Sequence, residues 1–126
     1  MAIVESYLGM DGNHSGKTFD ALLSLYSGTL AAGASTPNVY LGTGFVDADL
    51  VFNVTGPVPA DTSVEIELAD DAAFTVGVVV QQAFEPKTGR NIKPFRNNIG
   101  QGDLKAYIRL TLTGGPVIVE AFLAKK

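Results

Sequence analysis

Apolar and polar residues alternate with period two over much of this chain, the pattern of strands buried on one face. Leu50, Phe52 and Val54 form one inward row with Asp49, Val51 and Asn53 opposite. Val64, Ile66 and Leu68 form a second, with Glu65 and Glu67 directed to water. Phe74, Val76, Val78 and Val80 predict a third row, although Val79 makes its outer side partly apolar. Further on, Ala106, Ile108, Leu110 and Leu112 alternate with Lys105, Tyr107, Arg109, Thr111 and Thr113. Gly114-Gly115-Pro116 then supplies turn chemistry before Val117, Val119, Ala121 and Leu123, so these two runs predict a hairpin. Shorter strands are expected at 29–32 and 38–41, punctuated by Gly28, Gly33, Pro37 and Gly42. Residues 18–25 depart from the rhythm: Phe19, Leu22 and Leu23 behind Thr18 as N-cap predict one or two turns of helix.

Seven or eight short strands at this spacing predict an all-β fold, a sandwich, jelly roll or barrel. Two stretches interrupt it. Residues 1–17 carry Gly9, Gly12 and Gly16 with few apolar anchors after Leu8, and residues 85–103 combine Pro86, Gly89, Pro94, Gly100 and Gly102 with basic side chains. The expected organisation is an N-terminal arm at 1–19, a single β-sandwich domain at 20–126, and a long loop near 85–103. Unstructured connections of such length are where contacts with partners concentrate.

Composition narrows the chemistry. A chain of 126 residues suits one core that buries about two-thirds of its surface. The absence of cysteine removes disulfides, thiolate metal sites and cysteine nucleophiles, and His14 is the single histidine, so an enzyme is not expected and no cofactor or metal is implied. Apolar runs are too short to span a membrane as a helix, and the first ten residues hold Glu5 without a basic stretch, unlike a secretory signal.

Charge is unevenly placed. Residues 1–85 carry eleven acids against Lys17 alone, a balance of −10, whereas 86–126 carry eight bases against Asp103 and Glu120, a balance of +6. Lys87, Arg90, Lys93 and Arg96 cluster around Phe95, and the acidic total, −4, argues against nucleic acid as their partner. A solvated loop competes with a basic loop that reaches an acidic protein neighbour, another copy of this chain included. With Tyr7 and Leu8 of the arm, these residues are the candidate protein-interface set.

Other motifs give less. Asp11-Gly-Asn-His-Ser-Gly-Lys-Thr18 imitates a phosphate loop, but the first glycine of that motif is replaced by Asp11 and no βαβ pattern follows. Asp70-Asp71 lacks the spaced oxygen ligands of a calcium loop and predicts a turn or cap. Asp47 with Asp49, and Glu65 with Glu67, share strand faces without a cleft signature. Tyr7, Tyr26, Tyr40 and Tyr107 are scattered, which weakens an aromatic sugar-binding platform.

Three segments together resemble the capsid cement, or decoration, proteins of tailed bacteriophages: Ser35-Thr-Pro-Asn-Val-Tyr-Leu-Gly42, Val64-Glu-Ile-Glu-Leu-Ala-Asp-Asp-Ala-Ala-Phe-Thr75 and Tyr107-Ile-Arg-Leu-Thr-Leu-Thr-Gly-Gly115. The resemblance covers about residues 20–126. It implies a jelly-roll β-sandwich, homodimeric or homotrimeric, made in the bacterial host cytoplasm. Such a protein sits on the outer surface of the icosahedral virion and clamps major capsid subunits, without catalysis or cofactor. Residues 1–19 and 84–102 depart from that family's pattern. The alternative is a carbohydrate- or receptor-binding β-sandwich module of a phage tail or surface protein.

Overall fold

The computed structural model describes residues 21–100 and 102–126, and these form eight strands and no helix. They are β1 (Leu22–Leu30), β2 (Val39–Tyr40), β3 (Asp47–Thr55), β4 (Ser63–Ala69), β5 (Val79–Phe84), β6 (Gly89–Arg96), β7 (Tyr107–Thr113) and β8 (Val117–Lys125). Two four-stranded antiparallel sheets result, ordered β1-β8-β3-β6 and β2-β7-β4-β5. The pairings nest one inside another: β4 with β5, β3 with β6, β2 with β7, β1 with β8.

The inward rows build the sandwich. Leu50, Phe52 and Val54 of β3 and Val119, Ala121 and Leu123 of β8 pack with Val64, Ile66 and Leu68 of β4 and Ile108, Leu110 and Leu112 of β7 in one buried cluster. Each large aliphatic or aromatic side chain so buried contributes roughly 1.5–3 kcal/mol. Phe52 and Phe84 meet edge to face with centroids 5.6 Å apart, joining the two sheets near β5.

Four local expectations are corrected. Residues 22–25 are strand, not helix: β1 pairs with β8 over its length, with Leu23 opposite Leu123 and Leu25 bulged between Ser24 and Tyr26. One or two helical turns hold poorly alone, and pairing with β8 satisfies the same backbone while burying Leu25 and Leu30. The row of Val76, Val78 and Val80 faces solvent, 55%, 43% and 51% exposed, and Val79 faces the core instead. Both sides of that stretch are apolar, so alternation alone leaves its sense undetermined, and a bulge at Gln81 shifts the register again.

The two C-terminal runs are strands but not a hairpin. β7 belongs to one sheet and β8 to the other, and Gly114 and Gly115, both at positive φ, carry the chain across the sandwich. A Cβ at Gly115 would collide with the Leu112 side chain, so the corner itself requires glycine. Finally, residues 85–103 are not a continuous loop. Gly89–Arg96 is β6, and its place at the edge of a sheet is one that tolerates Pro94.

Candidate functional site

The basic cluster is sorted by the strand that carries it. Asn91 shapes the approach: its side-chain amide donates to the carbonyls of Phe52 (2.9 Å) and Lys87 (2.8 Å), and its Oδ1 accepts from the Lys87 N–H (2.9 Å). From there β6 alternates, with Asn91, Lys93 and Phe95 on the sandwich side and Arg90, Ile92, Pro94 and Arg96 on the outer side. Phe95 is fully buried, so it is a core residue and not an interface residue. Pairing with Ala48 places it there, a consequence of the strand that glycine and proline concealed in the sequence.

Lys93 stands at the sandwich edge with Nζ 5.3 Å from the Phe84 ring centroid, and the Gln82 side chain donates to the Pro94 carbonyl (2.7 Å). These contacts close the edge between β5 and β6. Arg96 lies 3.6 Å from Asp47, which Lys126 also approaches at 3.6 Å. The four bases therefore do not form one patch: Arg90 and Arg96 project from the outer sheet face, Lys93 from the edge, Lys87 from the preceding turn. Tyr7, Leu8 and His14, with the arm expected at 1–19 and the phosphate-loop imitation, lie outside the described residues.

The outer faces of both sheets carry large apolar side chains. On the β1-β8-β3-β6 sheet, Ile92, Val51 and Phe122 stand in one transverse row, since Val51 is opposite Ile92 on one side and Phe122 on the other. Ile92 is half exposed, whereas Val51 is only 7% exposed beneath its neighbours. Nearby, Ile118 with Thr29, Thr55, Pro57, Pro116 and Val117 lines a shallow groove of about 250 Å³.

The β2-β7-β4-β5 sheet has a polar network beside its apolar residues. Ser35 and Thr111 hydroxyls are 2.7 Å apart, Thr111 donates to Glu67 Oε1 (2.7 Å), and Arg109 Nε reaches the same oxygen at 2.6 Å. Arg109 also stacks over Phe74, 4.3 Å from its centroid. Glu67 thus does not simply meet water as its place in the alternation predicts. Exposed Val76, Val78 and Val80 flank this network, and Tyr40 lies against Tyr107 with centroids 5.2 Å apart. Of the scattered tyrosines, the fold brings these two together.

At one end of the sandwich, Asn97 is fully buried and holds two segments. Its Oδ1 accepts from the Val46 N–H (2.7 Å), and its Nδ2 donates to the carbonyls of Gly44 (3.0 Å) and Lys105 (2.9 Å). Phe45, between Gly44 and Val46, is consequently presented on a fixed turn with half its surface exposed. Lys105 is buried rather than outward, and its amine lies 3.3 Å from Asp70 and 3.5 Å from Asp103.

Asp71 organises the β4–β5 turn, as its place after a strand predicts. Its Oδ1 accepts from the N–H groups of Thr75 and Val76, both at 2.9 Å, and Oδ2 from the Thr75 hydroxyl at 2.6 Å. The Thr75 hydroxyl, then the Val76 N–H, hold the Asp71 carboxyl below its ordinary value.

Ile118 and Phe122 were findable from the sequence, being the outward partners of the Val117, Val119, Ala121 and Leu123 row. Ile92 and Phe45 were not, because strand β6 and the Asn97 turn had no alternation to announce them. No protein-family model, curated protein or solved structure matches this chain.

Proposed function

We propose that this chain is a structural virion protein that binds the outside of an icosahedral phage capsid and stabilises contacts between major capsid subunits. The observation that carries this reading is the placement of large apolar side chains outward from a rigid sandwich, on both sheet faces and on the Asn97-held turn. Surfaces of that kind mark sites where proteins meet. The three segments that resemble cement proteins add to it. The nested strand pairing supports the jelly-roll winding that the resemblance implies, in which one long hairpin is rolled into two sheets.

The mechanism needs rigidity and many contacts, with no bond made or broken. A stiff body that engages several capsid subunits, and other copies of itself, raises the effective concentration of every remaining contact once the first has formed. Release then requires several contacts to open together. Shells under internal pressure gain resistance from each additional copy.

Purified chain added to expanded capsids lacking a decoration protein is expected to co-sediment with them and raise their thermal and osmotic resistance. Failure to bind any expanded capsid from the phage that encodes it would reject the reading. The second reading, a carbohydrate-binding module, is favoured by the Tyr40–Tyr107 pair on an open sheet face. A reproducible glycan-array signal that is lost in Tyr40→Ala, without capsid binding, would establish it instead.

A further inference from the structure

We propose that one end of the sandwich, where the β2–β3 (41–46), β4–β5 (70–78) and β6–β7 (97–106) loops converge, docks a protein partner whose contact face has an apolar centre rimmed by lysine and arginine. This rests on the capsid reading, and names both the end of the chain that seats on a capsid subunit and the chemistry which that subunit presents.

Antiparallel pairing defines the end: β2, β4 and β6 finish there, and β3, β5 and β7 start there. Nine large apolar side chains are exposed among the described residues. Tyr40, Phe45, Val76, Val78 and Leu104 lie on these loops or at the strand end that enters them. Leu22 and Val80 stand near the start of strands that rise from the same end, which leaves Ile92 and Ile118 elsewhere. The loops of the opposite end, 31–38, 56–62, 85–88 and 114–116, hold none of the nine. An apolar surface concentrated in this way marks a place where proteins meet.

The three loops are knit together, so the apolar groups are held in place before any partner arrives. Asn97 joins Gly44 and Val46, on either side of Phe45, to Lys105 beside Leu104. The Leu41 N–H donates to the Ala106 carbonyl (2.6 Å), and the Ala106 N–H to the Ala69 carbonyl (3.2 Å). The Asp70 N–H donates to the Val76 carbonyl (2.9 Å). A Cβ at Gly77 would collide with the Asp70 carboxylate and the Lys105 amine, so the 70–78 loop presses on the ion pair that anchors the 97–106 loop. Little ordering is left to oppose association.

Charge selects the occupant. The described residues of the three loops carry Asp70, Asp71 and Asp103 against Lys105 alone, a balance of −2. The Lys105 side chain is 5% exposed, whereas those of Asp70 and Asp103 are 40% and 50% exposed, so this end presents carboxylates and hides the amine. A second copy would set the acidic rim against itself, and an anionic lipid surface would repel it likewise. A protein face with a basic rim complements it.

The test is co-sedimentation of the full chain, titrated at several salt concentrations, with expanded capsids lacking a decoration protein from the phage that encodes it. Binding is expected to weaken as salt rises, and Phe45→Ala to weaken it about tenfold. Leu104→Glu and Leu104→Lys lose the same apolar contact but differ in charge, so the Glu variant is expected to bind at least about tenfold more tightly than the Lys variant. Ile92→Lys and Ile118→Lys should bind as the wild type does, and thermal unfolding checks that every variant is folded. A wild type that binds no capsid rejects the capsid reading and this proposal with it. A wild type that binds, with Phe45→Ala equally tight or the two Leu104 variants equal, overturns this proposal alone. So does a dimer of the free chain, or flotation with phosphatidylserine vesicles, that Phe45→Ala abolishes, since the end would then belong to a second copy or to lipid.

Discussion

Asn97 shows how one side chain can fix a piece of surface. It is fully buried and serves two strand ends with three hydrogen bonds, so its replacement leaves buried backbone groups of Gly44, Val46 and Lys105 without partners. Asn97→Ala is expected to lower stability by about 3 kcal/mol, measured as the shift of the denaturant midpoint multiplied by the unfolding slope. An effect below about 1 kcal/mol would mean the turn holds itself. Phe95, two residues earlier, carries the opposite lesson. Its basic and proline neighbours suggest a surface residue, yet the partner strand decides its side, and that partner lies far off in the sequence.

Elements differ in how plainly they were written. The rows of β3, β4 and β7 were legible because each has one clean apolar face and a mostly polar opposite face. β5 was not, since residues 76–80 are apolar on both sides and its register is set at the turn before it. There Asp71 accepts three hydrogen bonds, and its carboxyl is held below the ordinary value of 3.8 chiefly by the Thr75 hydroxyl. A depressed native value means that this contribution is complete above pH 3.8 and is lost as pH falls through the lower native value. Asp71→Asn is therefore expected to reduce the melting temperature at neutral pH, with the gap from wild type narrowing below pH 3.8. A gap constant with pH would show that the carboxylate charge adds nothing.

β7 and β8 illustrate a different limit at the same scale. Gly114-Gly115-Pro116 announces a turn correctly, but turn chemistry does not say whether the chain re-enters the same sheet or crosses to the other. Two strands with one buried face each can satisfy both geometries. The remaining strands decide, because β8 is claimed on both sides by β1 and β3.

For the whole molecule, nested pairing orders the events of folding. Only nine residues, 70–78, separate β4 from β5, whereas residues 31–116 separate β1 from β8. Closing a short loop costs less entropy, and each completed pair shortens the span left for the next. The transition state should hold the β4–β5 pair, so Ile66→Val is expected mainly to slow refolding and Leu123→Ala mainly to hasten unfolding in stopped-flow measurements. The reverse partition would contradict this order. If β1 and β8 join last, as this order expects, the outward row of Ile118 and Phe122 is flanked on both sides by β1 and β3 only when folding is finished, and a half-folded chain offers no completed face on which another chain could seat prematurely.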